Sequence, residues 1–132
     1  MIIGIGTDII DTRRIKNIIN TYGEKFKRRC FSNNEIIRSE KSFTTTNSYA
    51  KRYAAKEACS KALGTGLSRG IFWKDIEVIN NVFGKPLIKL HNNAIKRIKK
   101  ITKKDYKIEV SLSDEKKYAI ANVIIFINEK YK

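Results

Sequence analysis

Residues 48–66, SYAKRYAAKEACSKALGTG, carry the strongest helix pattern in the chain. Alanine recurs there at every fourth position, which places small side chains along one face of a helix. These alanines are Ala50, Ala54, Ala58 and Ala62. Gly64 follows the last of them, and a glycine at such a position commonly ends a helix. The segment therefore predicts a long helix that another element approaches closely and that ends in a Gly-Thr-Gly turn.

The patterns on either side of this helix predict an α+β domain. Residues 2–10 are apolar and predict a buried first strand, and a helical pattern begins near Asp11. Ser32 and Glu35 form a capping box that opens a short helix through Arg38. Further elements are predicted as a loop at 42–48, strands at 75–79, 86–90, 107–113 and 118–127, and a helix near 95–101. The order β-α-α-α-β-β-α-β-β indicates a small antiparallel sheet of hairpins packed with helices, not a doubly wound parallel sheet.

The composition predicts one globular domain over residues 1–132. The chain is 42% hydrophobic with one proline, and a domain of this length buries roughly two thirds of its unfolded surface. Cys30 and Cys59, with no leader-like start, predict a reducing, cytoplasmic setting. The longest apolar run, residues 123–127, is far below the roughly 20 residues of a membrane span, so we expect no membrane partner. A single histidine, His91, argues against a zinc site.

The net charge of +15 has two interpretations that the sequence leaves open. The chain favours Lys over Arg and is rich in Ile and Asn, as translation of an AT-rich genome would produce. Alternatively, the basic surface attracts anions such as nucleic acid, a phosphorylated small molecule or an acidic protein. Charge alone does not choose among these partners.

The glycines of the opening stretch MIIGIGTDII raise the question of a phosphate-binding loop. A dinucleotide fingerprint needs a third glycine where this chain has Ile9, and its helix starts too late. The G-K-[ST] signature of a P-loop is absent as well. We therefore expect Gly4 and Gly6 to allow close packing.

Two carboxylates, Asp8 and Glu57, are the candidates for chemistry. Asp8 ends an apolar strand, where a carboxylate needs a partner or a cation, although Asp8 or Asp11 alternatively caps the next helix. Glu57 adjoins the alanine face, but Lys61 follows it by four residues, so a surface ion pair is the alternative. An acid pair with lysines around it suits a magnesium-bound polyphosphate.

Four segments occur in the order and spacing of the holo-[acyl-carrier-protein] synthases. They are GIGTDII (4–10), RYAAKEACSKALGTG (52–66), DIEVINNVFGKPLIKL (75–90) and VSLSDEKKYAIANVII (110–125). The run K-E-A-x-x-K-A-L-G-T-G, together with an N-terminal G-T-D-I, is highly specific. The chain thus resembles this family of group I 4′-phosphopantetheinyl transferases over nearly its whole length.

The resemblance implies the 4′-phosphopantetheinyl transferase fold and a magnesium-dependent, cytoplasmic enzyme of fatty acid biosynthesis. Such enzymes transfer the 4′-phosphopantetheine arm of coenzyme A to a serine of apo acyl carrier protein and release adenosine 3′,5′-bisphosphate. They are typically homotrimers with active sites at subunit interfaces, and neither nucleic acid nor membrane is an implied partner. The serine attacks the β-phosphorus, and its proton leaves to Glu57 or to a metal-bound water that Glu57 orients, an alternative that the sequence leaves open.

The resemblance also implies roles for individual residues. Asp8 and Glu57 correspond to the metal ligands, and Glu57 and Lys61 to the catalytic residues. The residues implied to bind coenzyme A are Arg52, Lys56, Lys61, Gly64, Gly66, Lys85 and Pro86, the last two from a neighbouring subunit. Arg13 and Arg14 would meet the acidic helix of the carrier protein.

The chain departs from the family pattern at a few positions. Glu109 stands where many members have a histidine near the nucleotide, Asp114-Glu115 replaces the His-Thr of some relatives, and Tyr53 replaces the usual Phe. These changes leave the acid pair intact, so we expect them to alter coenzyme A affinity more than activity.

Two other functions stay open at this point. A small basic RNA-binding α+β domain would use the charge, but the strands lack the paired aromatics of an RRM, and no GXXG clamp is present. An inactive trimeric scaffold would keep the fold without turnover.

Overall fold

The computed structural model describes residues 1–129, so the last three residues of the predicted domain lie outside the described range. Within it, the strands are β1 (Ile2–Asp11), β2 (Ile76–Asn80), β3 (Pro86–Leu90), β4 (Tyr106–Asp114) and β5 (Tyr118–Ile127). The helices are α1 (Thr12–Tyr22), α2 (Glu24–Cys30), α3 (Asn33–Glu40), α4 (Thr45–Ala62) and α5 (Asn92–Ile101). A short 3₁₀ turn, Trp73–Asp75, precedes β2.

The strands form two antiparallel sheets, which confirms the predicted hairpin architecture. The larger sheet has the order β1-β5-β4, and β2 and β3 form a separate hairpin. Helix α4 packs across β1 and β5 and is the central helix of the core. Between residues 1 and 129, no helix has both the length and the apolar character needed to cross a membrane.

The structure differs from the prediction at two helices. One helix was missed by the sequence pattern, and another begins earlier than predicted. Residues 24–30, for which the sequence predicted no helix, form α2, in which the Phe26 ring packs edge-on against that of Phe31 with centroids 5.7 Å apart. Seven residues are too few to show a clear helical period. Helix α4 begins at Thr45, so residues 45–48 of the predicted loop are helical. Threonine has low helix propensity, which tertiary packing overrides here.

The prediction that β1 is a buried strand holds for only one of its faces. Gly6 and Ile10 are buried, whereas Ile5 and Ile9 are 67% and 60% exposed. Ile5 pairs with Ile124 and Ile9 pairs with Ile120, so these four isoleucines adjoin on one surface. We call Ile5, Ile9, Ile120 and Ile124 the outer face of the larger sheet. An apolar run does not reveal that one of its two faces is open in a single chain.

The backbones of α4 and β1 touch at two glycines of the strand. A Cβ atom at Gly6 would lie 1.8 Å from the carbonyl oxygen of Ala58, and one at Gly4 would lie 2.2 Å from that of Ala62. The alanine face of α4 is buried here, as predicted. The expectation that these glycines serve close packing is therefore confirmed.

A buried ion pair joins α3 to α4. Lys56 Nζ donates to Glu35 Oε1 at 2.8 Å, and neither side chain is accessible to solvent. The ammonium also donates to the carbonyls of Trp73 and Ile76, and Glu35 Oε2 accepts from the Val78 amide at 3.0 Å. All three ammonium donors thus have acceptors, which is the condition for burying a charge without a large penalty.

Substitution of Gly6 by alanine should disrupt the contact between β1 and α4. The added methyl group would overlap a backbone oxygen that no side-chain rotation can move, so Gly6→Ala should lose at least about 3 kcal/mol of unfolding free energy. Urea denaturation measures this loss. The control is Thr7→Ala, which removes one exposed hydrogen bond to Asn122 and should cost under about 1.5 kcal/mol. Equal losses in the two variants would contradict the packing role.

The N-cap of α1 should give a measurable pH dependence. Asp11 accepts from the Arg13 amide at 2.9 Å and from its guanidinium, and these bonds lower the carboxyl pKa from 3.8 to about 2. Because folding lowers this pKa, the contacts stabilise the fold above pH 3.8, and that contribution is lost as pH falls through about 2. NMR titration should find the low value in the native protein and a higher value, still below 3.8, in Arg13→Gln, which loses the guanidinium bonds but keeps the backbone amide bond. A native pKa near 3.8 would refute the interaction.

Candidate active site

Asp8 and Glu57 lie together where β1 meets α4. Asp8 follows Gly6 by two residues on the same strand face, and Glu57 precedes Ala58 on the helix. Both side chains are partly buried. Burial raises the pKa of Glu57, and the negative charge of Asp8 raises it further. Two carboxylates that repel each other in this way favour a cation between them.

Lys61 lies one turn after Glu57 and is half exposed. Its ammonium donates to Asp8 Oδ1 at 3.1 Å and to the Thr7 carbonyl at 3.0 Å. The bond goes to Asp8, whereas the four-residue spacing had suggested Glu57. The charge of Lys61 nevertheless lowers the pKa of Glu57. The structure therefore brings the predicted catalytic and metal-binding residues into one cluster, which we call the acid cluster: Asp8, Glu57 and Lys61.

The two arginines at the start of α1 have different surroundings. Arg13 donates three hydrogen bonds to Asp11 from its guanidinium, and its side chain is 63% exposed. Arg14 is exposed, and its positive charge lowers the pKa of Glu57. The charge of Arg14 therefore acts on the acid cluster. The helical pattern of α1 did not predict that Arg14 lies close enough to do so.

The acid cluster suits a hard divalent cation. Mg²⁺ prefers oxygen ligands and is often held by one or two carboxylates that leave positions for water and substrate phosphate. The described residues contain no group of three or more His, Cys, Asp or Glu side chains arranged for a metal. Asp8 and Glu57 offer carboxylate oxygens, which fits a magnesium ion shared with water and a substrate phosphate.

A cationic cavity of about 530 Å³ lies beside the N-terminal half of α4. Its lining includes Arg38, Lys41, Lys51, Arg52, Gly84 and Pro86 and contains no acidic residue. The Arg52 guanidinium donates to the Val78 carbonyl at 2.8 Å and to Asn80 Oδ1 at 3.0 Å. Its Nε is buried and has no hydrogen-bond acceptor among the described residues. Four cations around one cavity provide a site for an anion.

The cationic cavity brings together two of the predicted coenzyme A residues, Arg52 and Pro86. It also includes Arg38, Lys41 and Lys51, which the sequence reasoning missed because they carried no signal beyond charge. Asp8, Glu57 and Lys61 do not line it. Arg52 and Glu57 are five residues apart on α4 and so project about 140° apart around its axis. The cavity and the acid cluster are separate sites on one chain.

Lys56 does not lie where the resemblance implied. Its ammonium is fully buried and bound to Glu35 and two backbone carbonyls. A group with all its donors used inside the core has none left for a phosphate, so the expected coenzyme A contact does not fit this placement. The neighbouring positions 56 and 57 point in different directions because helical residues turn by about 100° each.

Two of the residues that depart from the family pattern, Glu109 and Asp114, form ion pairs. Glu109 Oε2 pairs with Lys85 Nζ at 3.2 Å. Glu109, which stands at the family's histidine position, and the predicted coenzyme A residue Lys85 thus form one exposed ion pair. Asp114 pairs with Lys51 at 3.2 Å and accepts from Asn47 at 2.9 Å. These acids anchor cations close to the cationic cavity.

The turn after α4 needs its glycines. Gly64 and Gly66 have φ values of 83° and 65°, which other residues adopt only with strain. The amides of Thr65 and Gly66 donate back to the Ser60 carbonyl at 3.2 and 3.1 Å. The turn is thereby fixed immediately after Lys61, at the end of the acid cluster.

Comparison with known proteins shows the family to which the chain is similar. Residues 4–123 match the sequence model of the 4′-phosphopantetheinyl transferase superfamily. The chain is 46% identical over 127 residues to the holo-[acyl-carrier-protein] synthase of Rhizobium meliloti, covering 96% of this chain and 91% of that protein.

Two solved structures extend the likeness to the fold. The holo-[acyl-carrier-protein] synthase of Neisseria meningitidis has a TM-score of 0.83 at 31% identity, with 96% of this chain and 99% of that one covered. The synthase of Bacillus anthracis, solved in complex with CoA (3′,5′-ADP), has a TM-score of 0.77 at 35% identity, with coverage of 95% and 96%. The chain therefore belongs to the holo-[acyl-carrier-protein] synthases, a family of phosphopantetheinyl transferases.

Proposed function

We propose that the chain transfers the 4′-phosphopantetheine arm of coenzyme A to a serine of apo acyl carrier protein, with Mg²⁺ held by Asp8 and Glu57. Family membership supports the transfer, and the acid cluster is the single observation that supports the metal. The product would serve fatty acid biosynthesis in the cytoplasm. The RNA-binding alternative has only the net charge in its favour, and the scaffold alternative is tested below.

The side chains of the acid cluster have different roles in the proposed reaction. A bound Mg²⁺ would neutralise charge on the phosphate oxygens. Glu57 accepts the proton of the carrier serine, directly or through a water that it orients, as that oxygen attacks the β-phosphorus. Lys61, which is half exposed and pairs with Asp8, stabilises the departing adenosine 3′,5′-bisphosphate.

The cationic cavity is the proposed site for the nucleotide end of coenzyme A. That end carries phosphate charge, and Arg52 offers a buried guanidinium with an unused Nε donor. Pro86 supplies an apolar wall, and Lys85 follows the same turn. The turn at Gly64 and Gly66 would form the wall beside the pantetheine arm.

We further propose that the active site forms between copies of this chain in a homotrimer. The acid cluster and the cationic cavity do not share a residue, so one coenzyme A molecule would contact both most simply across two copies. The outer face of the larger sheet leaves isoleucine side chains exposed on a single chain. An apolar surface of this kind favours association. Lys85 and Pro86 would then reach the acid cluster of the neighbouring copy.

The basic surface of α1 is the proposed docking site for the acidic carrier protein. Arg14 is exposed and its charge reaches Glu57, so an acidic helix bound there would bring its serine near the acid cluster. The net charge of +15 would speed the encounter with both anionic substrates.

Asp8→Asn and Glu57→Gln should remove transfer while leaving the fold intact. Each substitution keeps the side-chain shape but removes a charged metal ligand, so turnover should fall by about 100-fold or more. Mass spectrometry of apo carrier protein incubated with coenzyme A and Mg²⁺ measures the added phosphopantetheine arm. Glu24→Gln, an exposed acid on α2, is the control and should behave like wild type. Near-normal transfer by either acid variant would refute the metal assignment, and no transfer by wild type would favour the scaffold.

Arg14→Gln should weaken carrier protein binding selectively. Loss of one charge pair near water costs about 1 kcal/mol, so the KM for carrier protein should rise about fivefold while the KM for coenzyme A stays unchanged. Steady-state kinetics at low salt measures both. Lys16→Gln is the matched control because Lys16 is exposed on the other side of the same helix. A rise in the KM for coenzyme A, or an equal effect at Lys16, would contradict this docking site.

A further inference from the structure

We infer that Glu35 and Lys56 are positioning residues, which hold α4 in the rotation that sets Glu57 against Asp8. The inference rests on the proposed metal site and adds two residues that do not touch the substrate. It also gives Lys56 a role that its buried position permits.

The Lys56 ammonium is fixed by three different segments of the fold. It donates to Glu35 on α3, to the Trp73 carbonyl in the 3₁₀ turn at 3.0 Å, and to the Ile76 carbonyl at the start of β2. Glu35 is fixed in turn, because it accepts from the Ser32 amide at 2.8 Å as well as from Lys56. A donor group held from three sides has one allowed position.

This anchor is one residue away from the metal ligand. Lys56 and Glu57 are adjacent on α4, so their directions are related by a fixed turn of about 100°. The contact of Gly4 and Gly6 with α4 sets the distance between β1 and the helix. The small alanine side chains of α4 still permit the helix to rotate and slide against the strand. The Lys56 anchor removes that freedom on the side facing α3 and β2, and Glu57 is thereby aimed at β1.

A second contact strengthens the same anchor. The Tyr53 ring lies one turn before Glu57 on α4 and packs on the Trp73 ring with centroids 4.4 Å apart. Trp73 is also the residue whose carbonyl accepts from Lys56. The 3₁₀ turn is therefore attached to α4 at two neighbouring points beside the acid cluster.

Stability alone does not account for a charged pair at this place. An apolar pair of similar volume would fill the same space without the cost of removing two charges from water, and such replacements are often neutral or stabilising. Hydrogen bonds, unlike apolar contacts, select one geometry. A displacement of about 1 Å in a catalytic group lowers the rate about 100-fold, so geometry is what this pair contributes.

The double variant Glu35→Gln/Lys56→Met separates positioning from stability. It removes both charges, so neither is left buried and unpaired as in a single variant. Binding of Mn²⁺ is measured by electron paramagnetic resonance with coenzyme A present and carrier protein absent, and thermal unfolding is measured alongside. We expect the Mn²⁺ dissociation constant to rise about 10-fold to 100-fold and the KM for carrier protein to stay unchanged.

The control removes an ion pair between two other helices. Lys27 on α2 pairs with Glu40 on α3, and their side chains are 13% and 42% exposed. Glu40→Gln/Lys27→Met makes the same kinds of substitution away from the anchor, so its Mn²⁺ affinity should equal that of wild type.

A more conservative variant covers the case in which the double variant does not fold. Glu35→Asp keeps both charges but shortens the carboxylate, which draws Lys56 toward α3, and Mn²⁺ affinity should fall about tenfold. Wild-type Mn²⁺ affinity in a folded Glu35→Asp or double variant would overturn the positioning role. If wild type binds no Mn²⁺, or if Asp8→Asn binds it equally well, the proposed metal site itself is wrong.

Discussion

The backbone contact between α4 and β1 is the constraint on which the site depends. With no side chain at Gly6, the Ala58 carbonyl lies where a Cβ atom would stand, and the helix rests directly on the strand. Asp8 projects two residues further along the strand, on the same face. Glu57 and Lys61 flank that part of the helix, and both reach Asp8 electrostatically. Close packing and acid pairing are therefore one feature of the structure.

Helix α4 carries two buried cations that differ in whether all of their hydrogen-bond donors have acceptors. Lys56 has acceptors for all three of its donors and is a structural anchor. Arg52 keeps one buried nitrogen without an acceptor in the described part of the chain and faces a cavity lined by other cations. A satisfied buried charge stabilises geometry, whereas an unsatisfied one is free to bind a ligand. Glu57 has a raised pKa because burial and the charge of Asp8 outweigh the opposing charges of Lys61 and Arg14.

The sequence predicted those features that depend on local periodicity and failed where distant contacts decide. The hairpins, the capping box at Ser32 and the alanine face of α4 follow from spacing, and all were confirmed. The pairing of Asp8 with Glu57 came from the family resemblance, whereas the residue pattern alone left Asp8 as a possible cap and Glu57 as a possible surface ion pair. The sequence did not predict the buried position of Lys56, because its acceptors come from α3, the 3₁₀ turn and the start of β2. No local sequence pattern predicts such distant contacts. Helix α2 was too short to show a period, and the exposed face of β1 depends on what covers the sheet.

The proposed reaction depends on Asp8 and Glu57 holding a divalent cation together. Anomalous diffraction from crystals grown with Mn²⁺ and coenzyme A would show directly where the metal lies. We expect one strong peak about 2.0–2.6 Å from a carboxylate oxygen of each residue, with the nucleotide end in the cationic cavity of a neighbouring copy. A crystal with bound coenzyme A whose metal peak lies away from one or both of these carboxylates would contradict the proposed metal site.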